Sequence, residues 1–169
     1  MSYDFGDHQI DADQVFYISP SKLIYATVNL KPIVEGHVLI VPVRKVVRIK
    51  DMTRDELYDL ISTAELVGRT LEQNLNATAQ NVAIQDGKEA GQSVPHVHCH
   101  ILPRKAGDFE RTNDVHELLE KHDATPLTKT DKKQSQMVVD DDKRKPRTKE
   151  EMKEEATKYR QWMQEAEHH

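Results

Sequence analysis

The segment His96-Val97-His98-Cys99-His100-Ile101-Leu102 alternates polar and apolar residues without a break. Period-two alternation is the mark of a half-buried β-strand, because successive side chains leave opposite faces of the sheet. His96, His98 and His100 are therefore expected on one face, with Val97, Cys99 and Ile101 entering a core. A chain with this segment must build a sheet that reserves part of one face for three imidazoles. Directly ahead lies Gly91-Gln92-Ser93-Val94-Pro95, a short polar loop able to bring backbone N–H groups and two side-chain donors to an anion. A nucleophilic histidine beside such a loop points to phosphoryl or nucleotidyl chemistry. Two other readings compete: a coincidence on a polar sheet face, and a zinc site. Residues two apart on a strand are separated by about 6.6 Å, which puts His96 and His100 about 13 Å apart, whereas zinc takes nitrogens at about 2.0–2.1 Å. Neighbouring histidines can chelate, but all three on one ion need a sharp bend. The reading that remains is covalent catalysis, with a neutral imidazole as nucleophile and its neighbours stabilising phosphate charge.

The remainder of the chain supplies a scaffold for that strand. Its 169 residues suffice for one domain with a tail, and 24 basic against 29 acidic residues give a net charge of −5, which offers no global reason to bind nucleic acid. Cys99 is the single cysteine, and no apolar run approaches the roughly 20 residues of a membrane span. The expectation is a soluble, intracellular protein with neither nucleic acid nor membrane as partner. Val15–Ile18 and Leu23–Leu30, split by the turn cluster Ser19-Pro20-Ser21-Lys22, read as a hairpin. A third strand follows at His37–Arg44, where Pro42 argues for an edge position or a bulge. Thr53-Arg54-Asp55-Glu56 is a capping box that opens a long helix with Leu57, Leu60, Ile61, Ala64, Val67, Leu71 and Leu75 as its stripe. Gly68 within it anticipates the close approach of another backbone. Asn81–Gln85 is a fourth strand, antiparallel to the histidine strand, which brings Gln85 near the mouth of the Gln92–Ser93 loop.

Asn113-Asp114 can cap a short helix with Val115, Leu118 and Leu119 on its apolar face. Residues 123–147 form a mixed charge run too polar to offset its ordering entropy, and are expected to be disordered. Lys143–Arg147 fits a nuclear-localisation patch and, more simply, a solvated linker. Thr148-Lys149-Glu150-Glu151 opens a closing helix with Met152, Ala156, Tyr159 and Met163 as its stripe and Trp162 beside it. The sum is an α+β domain over residues 1–122: an antiparallel sheet of about five or six strands, one long helix and, at 148–167, a C-terminal helix. No βαβ alternation is present, which argues against a doubly wound fold.

His96–Leu102 also matches the histidine-triad signature. Gln85-Asp86-Gly87, Glu89-Ala90-Gly91-Gln92 and Leu102–Phe109 resemble the fragile-histidine-triad branch of that superfamily, the dinucleoside polyphosphate hydrolases. The resemblance runs over about residues 1–123 and resumes weakly at the C-terminus. It implies hydrolysis of a dinucleoside 5′,5′-polyphosphate, diadenosine triphosphate by preference, to AMP and the remaining nucleotide. His98 would be the nucleophile and His100 a donor to a non-bridging oxygen, while the carbonyl of His96 would fix the tautomer of His98. Gln92 and Ser93 would lie at the scissile bridge and polyphosphate, with Gly91 and Val94 completing that loop. His8, Asn29 and Gln85 would hold the nucleotide, and His37 would support the triad from an adjacent strand.

The resemblance further implies a homodimer formed through the long helix, and magnesium or manganese bound with the polyphosphate. The expected compartment is the cytoplasm, with the nucleus as a second. Many relatives carry a tyrosine where this chain has His116, so no role carries over there. Two alternatives stay open: a nucleoside phosphoramidate hydrolase, and a nucleotide-loaded dimeric signalling module that hydrolyses slowly.

Overall fold

The computed structural model describes residues 1–123 and 145–168. Residues 124–144, most of the segment expected to be disordered, lie outside the described residues. A two-stranded hairpin, β1 (Ser2–Phe5) and β2 (His8–Asp11), precedes an antiparallel sheet of five strands. These are β3 (Val15–Ile18), β4 (Ile24–Val28), β5 (Val38–Pro42), β6 (Ala79–Ile84) and β7 (Cys99–Arg104), in the order β3-β4-β5-β7-β6. The helices are α1 (Arg54–Leu75), α2 (Asp114–Asp123) and α3 (Lys149–Glu167). The α+β architecture is the expected one. Among the described residues, no helix is long and apolar enough to cross a membrane.

Helices α1 and α3 cover one face of the sheet. Leu60, Ala64, Val67 and Leu71 of α1 join Met152, Ala156, Tyr159 and Met163 of α3 against Ile24, Ala26, Val28, Val38, Ile40, Val97, Cys99 and Ile101. Each fully buried valine, leucine, isoleucine or methionine among them stabilises the fold by about 1.5–3 kcal/mol. Both capping boxes form, Thr53 with Glu56 and Thr148 with Glu151. Ile61, expected in the α1 stripe, is instead 51% exposed, because buried Thr63 and Thr70 turn the helix slightly away from it. Gly68 meets a side chain rather than a backbone: a Cβ there would lie 2.0 Å from Oε1 of Gln80.

On the opposite face the β1–β2 hairpin packs Tyr3, Phe5 and Ile10 over Val15, Tyr25, Leu39 and Val41. Nearby, α2 buries Val115 and Leu119 against Leu102. Its neighbour Arg104 grips Asp108 through two nitrogens, reaches Asn81 Oδ1 at 2.8 Å and stacks on Phe109. The Arg104–Phe109 run thus serves to anchor the chain leaving β7.

Pro42 departs from expectation in an instructive way. Strand β5 is central, not an edge. The β5–β7 ladder stops at Ile40↔Cys99, so the missing N–H of Pro42 falls where no ladder bond is needed. The Pro42 carbonyl, turned to that side, is taken by His96.

Candidate active site

The histidine segment divides at Cys99. Only Cys99–Arg104 is ladder strand, while His96 sits in a bend and 97–98 lie outside the ladder, bonded elsewhere: His96 N–H to Val94 O at 2.8 Å and Val97 N–H to Val46 O at 2.7 Å. The alternation survives, since Val97, Cys99 and Ile101 all enter the helix-side core. The triad face is not half-exposed, however, for His96, His98 and His100 are at most 2% accessible. The cover comes from the N-terminal hairpin. The Phe5 ring stands edge-on to His98 at 5.0 Å and lies 6.0 Å from His96. Gly6, at φ +60° in the two-residue turn, donates its N–H to His96 Nδ1 at 3.1 Å. Glycine at the first turn position is what a type II′ hairpin requires, and the Gly6-Asp7 pair is the signal that marks this hairpin in the sequence.

Hydrogen bonding fixes the proton on each ring. His96 accepts at Nδ1 from Gly6, so its proton sits on Nε2 and is donated to Pro42 O at 2.8 Å. Burial also pushes the His96 pKa below its ordinary 6.5, in keeping with a neutral structural ring. His98 Nδ1–H donates to the His96 carbonyl at 2.8 Å, which puts the ring's lone pair on Nε2. His37, just ahead of β5 and fully buried, accepts at Nδ1 from the Ile33 N–H at 3.0 Å. Its own proton is therefore on Nε2 and points to His100 Nδ1 at 2.9 Å. That assignment leaves His100 protonated at Nε2, as a donor. The His98 and His100 rings lie 5.0 Å apart and nearly perpendicular. A lone pair and an N–H donor thus sit side by side, each fixed by a backbone group at the far end of its path.

The loop ahead of the triad is locked. Asp86 accepts from Arg48 Nε at 3.0 Å and from the Ile49 N–H at 3.0 Å, and this holds its carboxyl below the ordinary carboxylate range. Gln92 donates through Nε2 to Val47 O at 2.8 Å and Val94 O at 3.1 Å, and its Oε1 accepts from Gly87 N–H at 2.8 Å. Both amide hydrogens are therefore engaged, and Gln92, expected at the scissile bridge, must release one of them to touch a phosphate. Ser93 is exposed, whereas Val94 carries the hairpin: a Cβ on Gly6 would come within 2.6 Å of its Cγ1. Gly91, at φ +90°, packs on Gln85, whose buried Oε1 has no hydrogen-bond partner among the described residues.

Asn29 is buried beside the relay, with Nδ2 3.2 Å from His37 Nε2 and Oδ1 accepting from Lys31 N–H at 3.2 Å. His8 is exposed on β2, opposite Phe5 in the ladder, at the rim of the covered triad. Phe5, Gly6 and Arg48 are contributors that motif reading does not single out, while Pro42 enters it only as a strand-edge signal and Asp86 only as part of the branch motif.

An antiparallel sheet here carries a histidine with a directed lone pair, next to a histidine donor and behind a locked polar loop, an arrangement chemically capable of displacement at phosphorus. Comparison with known proteins gives the family: the HIT domain matches residues 9–107, and the chain belongs to that family. It is 46% identical over 159 residues to the bifunctional bis(5′-adenosyl)-triphosphatase/adenylylsulfatase FHIT of Arabidopsis thaliana, covering 94% of this chain and 83% of that one. Against the asymmetrical bis(5′-nucleosyl)-tetraphosphatase of Schizosaccharomyces pombe it is 44% identical, over 89% of this chain and 86% of the other. Among solved structures it is similar to the Plasmodium falciparum diadenosine triphosphate hydrolase in complex with cyclomarin A. That match has a TM-score of 0.72 and 30% identity, covering 97% of this chain and 85% of that one.

Proposed function

We propose that the chain hydrolyses dinucleoside 5′,5′-polyphosphates, diadenosine triphosphate by preference, to AMP and the remaining nucleotide. The observation that carries the reading is the proton pattern of the triad, a lone pair on His98 Nε2 beside an N–H on His100 Nε2. His98 Nε2 attacks the α-phosphorus, forming a P–N bond as the bridging P–O bond breaks and ADP departs with the electron pair. The positive charge that develops on the ring is stabilised through Nδ1–H by the His96 carbonyl. His100 donates to a non-bridging oxygen, where negative charge accumulates. Water then displaces His98 from the nucleotidyl-histidine, giving AMP and the original imidazole.

Gly91, Ser93 and Val94 line the polyphosphate, with Gln92 holding their loop in place. Asn29, His8 and Gln85 take the nucleoside. Imidazole, amide and backbone groups make up the donor set described at the triad, which suits a magnesium or manganese ion held by phosphate oxygens and water. A homodimer accounts for Tyr58 and Ile61 on α1 and Val82 on the edge strand β6, all more than half exposed. Cytoplasm and nucleus are the compartments in keeping with this substrate.

The test is product chromatography with diadenosine tri- and tetraphosphate and an AMP–lysine amide, on wild type and His98→Asn. AMP plus ADP from the triphosphate is expected. His98→Asn should lower turnover on the order of 10⁶-fold while nucleotide affinity persists. A variant within tenfold of wild type would remove His98 from the nucleophile's role, and preferential cleavage of the amide would shift the chain to phosphoramidate hydrolysis.

A further inference from the structure

Arg147 lies in the charge run that composition assigns to a linker, yet it is held in the molecule with only 17% of its side chain exposed. Its Nε donates to the carbonyl of Asn29 at 3.1 Å, and its Nη2 makes a second bond to the same oxygen. Its Nη1 pairs with Glu155 of α3, itself 16% exposed, and its backbone N–H donates to Leu30 O at 3.0 Å. One guanidinium therefore ties the closing helix to the point where β4 ends and the chain turns toward His37. The Asn29 side chain then packs against His37, its amide nitrogen 3.2 Å from Nε2 in a van der Waals contact rather than a hydrogen bond. That ring nitrogen carries the proton given to His100 Nδ1 at 2.9 Å.

We propose that Arg147 is a positioning residue of the active site, bracing the Asn29 backbone so that Asn29 and His37 keep the His100 donor in place. The planar fork is what the position needs. Two nitrogens converge on one carbonyl while the third meets a carboxylate, a geometry that a lysine ammonium does not reproduce. The last residues before α3 are thus part of the site's support, although they are about 50 residues beyond the triad in sequence.

The inference rests on the proposed hydrolase reading for its kinetic arm only. Arg147→Lys keeps a charge for Glu155 and loses the fork on Asn29. Met152→Ala, on the core face of the same helix, serves as a control that removes core packing from α3 and leaves Arg147 and its bonds to the Asn29 carbonyl in place. Turnover of diadenosine triphosphate, thermal midpoints and ring 15N NMR of His37 and His100 are measured for each. Arg147→Lys should lower kcat by roughly ten- to a hundredfold, since a misplacement of about 1 Å costs on the order of 10². It should also move the His37 and His100 ring signals. Met152→Ala should lower the midpoint while kcat stays within threefold and those signals stay put. Wild-type kcat, KM and ring signals in Arg147→Lys would overturn the proposal, whatever its midpoint. Should the wild type leave dinucleoside polyphosphates untouched, the function reading fails while the ring signals still decide the role of Arg147.

Discussion

Replacing Gln92 with alanine removes three hydrogen bonds at once: two donated to Val47 O and Val94 O, and one accepted from Gly87 N–H. The site is part-exposed, so water re-satisfies much of what is lost, and each bond contributes about 0.5–1 kcal/mol net. The sum is about 2 kcal/mol. For a chain of this length that corresponds to a fall of roughly 4–8 °C in thermal midpoint. The kinetic consequence follows from the same bonds. If Gln92 acts on the reaction only through these loop bonds, its loss should slow all substrates alike, by roughly ten- to a hundredfold. The assay compares diadenosine triphosphate with an activated aryl ester of AMP, alongside thermal unfolding. An unchanged midpoint with a selective loss of 10²–10³ on the dinucleotide would refute the reasoning. That pattern belongs to a donor aimed at the leaving oxygen in the transition state.

The salt bridge that opens α1 has a pH signature. Glu56 is 4% exposed and receives both Nε and Nη2 of Arg44 at 2.8 Å, which, with the Thr53 N–H, brings its pKa from 4.5 down to about 2. A depressed carboxyl stabilises above the unfolded value and loses that stabilisation as pH falls through the folded one. Glu56→Gln should therefore unfold at lower urea than wild type from pH 5 to 8, by about 1–2 kcal/mol given the half-exposed Arg44. The gap should close toward pH about 2, and a constant gap would rule out the ionic cause. At the hairpin turn, Gly6→Ala forces a Cβ to 2.6 Å from Val94 Cγ1 at φ +60°. It should lower the midpoint by a few degrees and, by loosening the bond to His96 Nδ1, slow turnover on the order of tenfold. Wild-type kinetics would show that the hairpin is a cover without influence on the triad.

Features that declare themselves within a few residues could be read directly from the chain. Both capping boxes and the Met152-Ala156-Tyr159-Met163 stripe depend on spacing alone and appear where spacing puts them, and the alternation of the histidine segment survives although its strand begins only at Cys99. What escaped depends on partners distant in sequence. Gly6 meets His96 across 90 positions and Arg147 meets Asn29 across 118. Averaged with its neighbours, Arg147 looked like solvated charge, because composition does not register a guanidinium that finds a buried carbonyl. Pro42 misled for a related reason: a missing N–H excludes a central strand only where the ladder needs it, and here the ladder has already ended. The triad face looked half-exposed because alternation reports polarity, not cover, and the cover belongs to Phe5 on a separate hairpin.

The central claim is a covalent step at His98, and stereochemistry at phosphorus tests it most directly. Diadenosine triphosphate made P-chiral by sulfur at the attacked α-phosphorus is hydrolysed in 18O-water, and the configuration of the resulting thio-AMP is determined by 31P NMR. Two in-line displacements, first by His98 and then by water, predict overall retention. Net inversion would mean that water attacks directly, and would contradict the nucleotidyl-histidine at the core of the account.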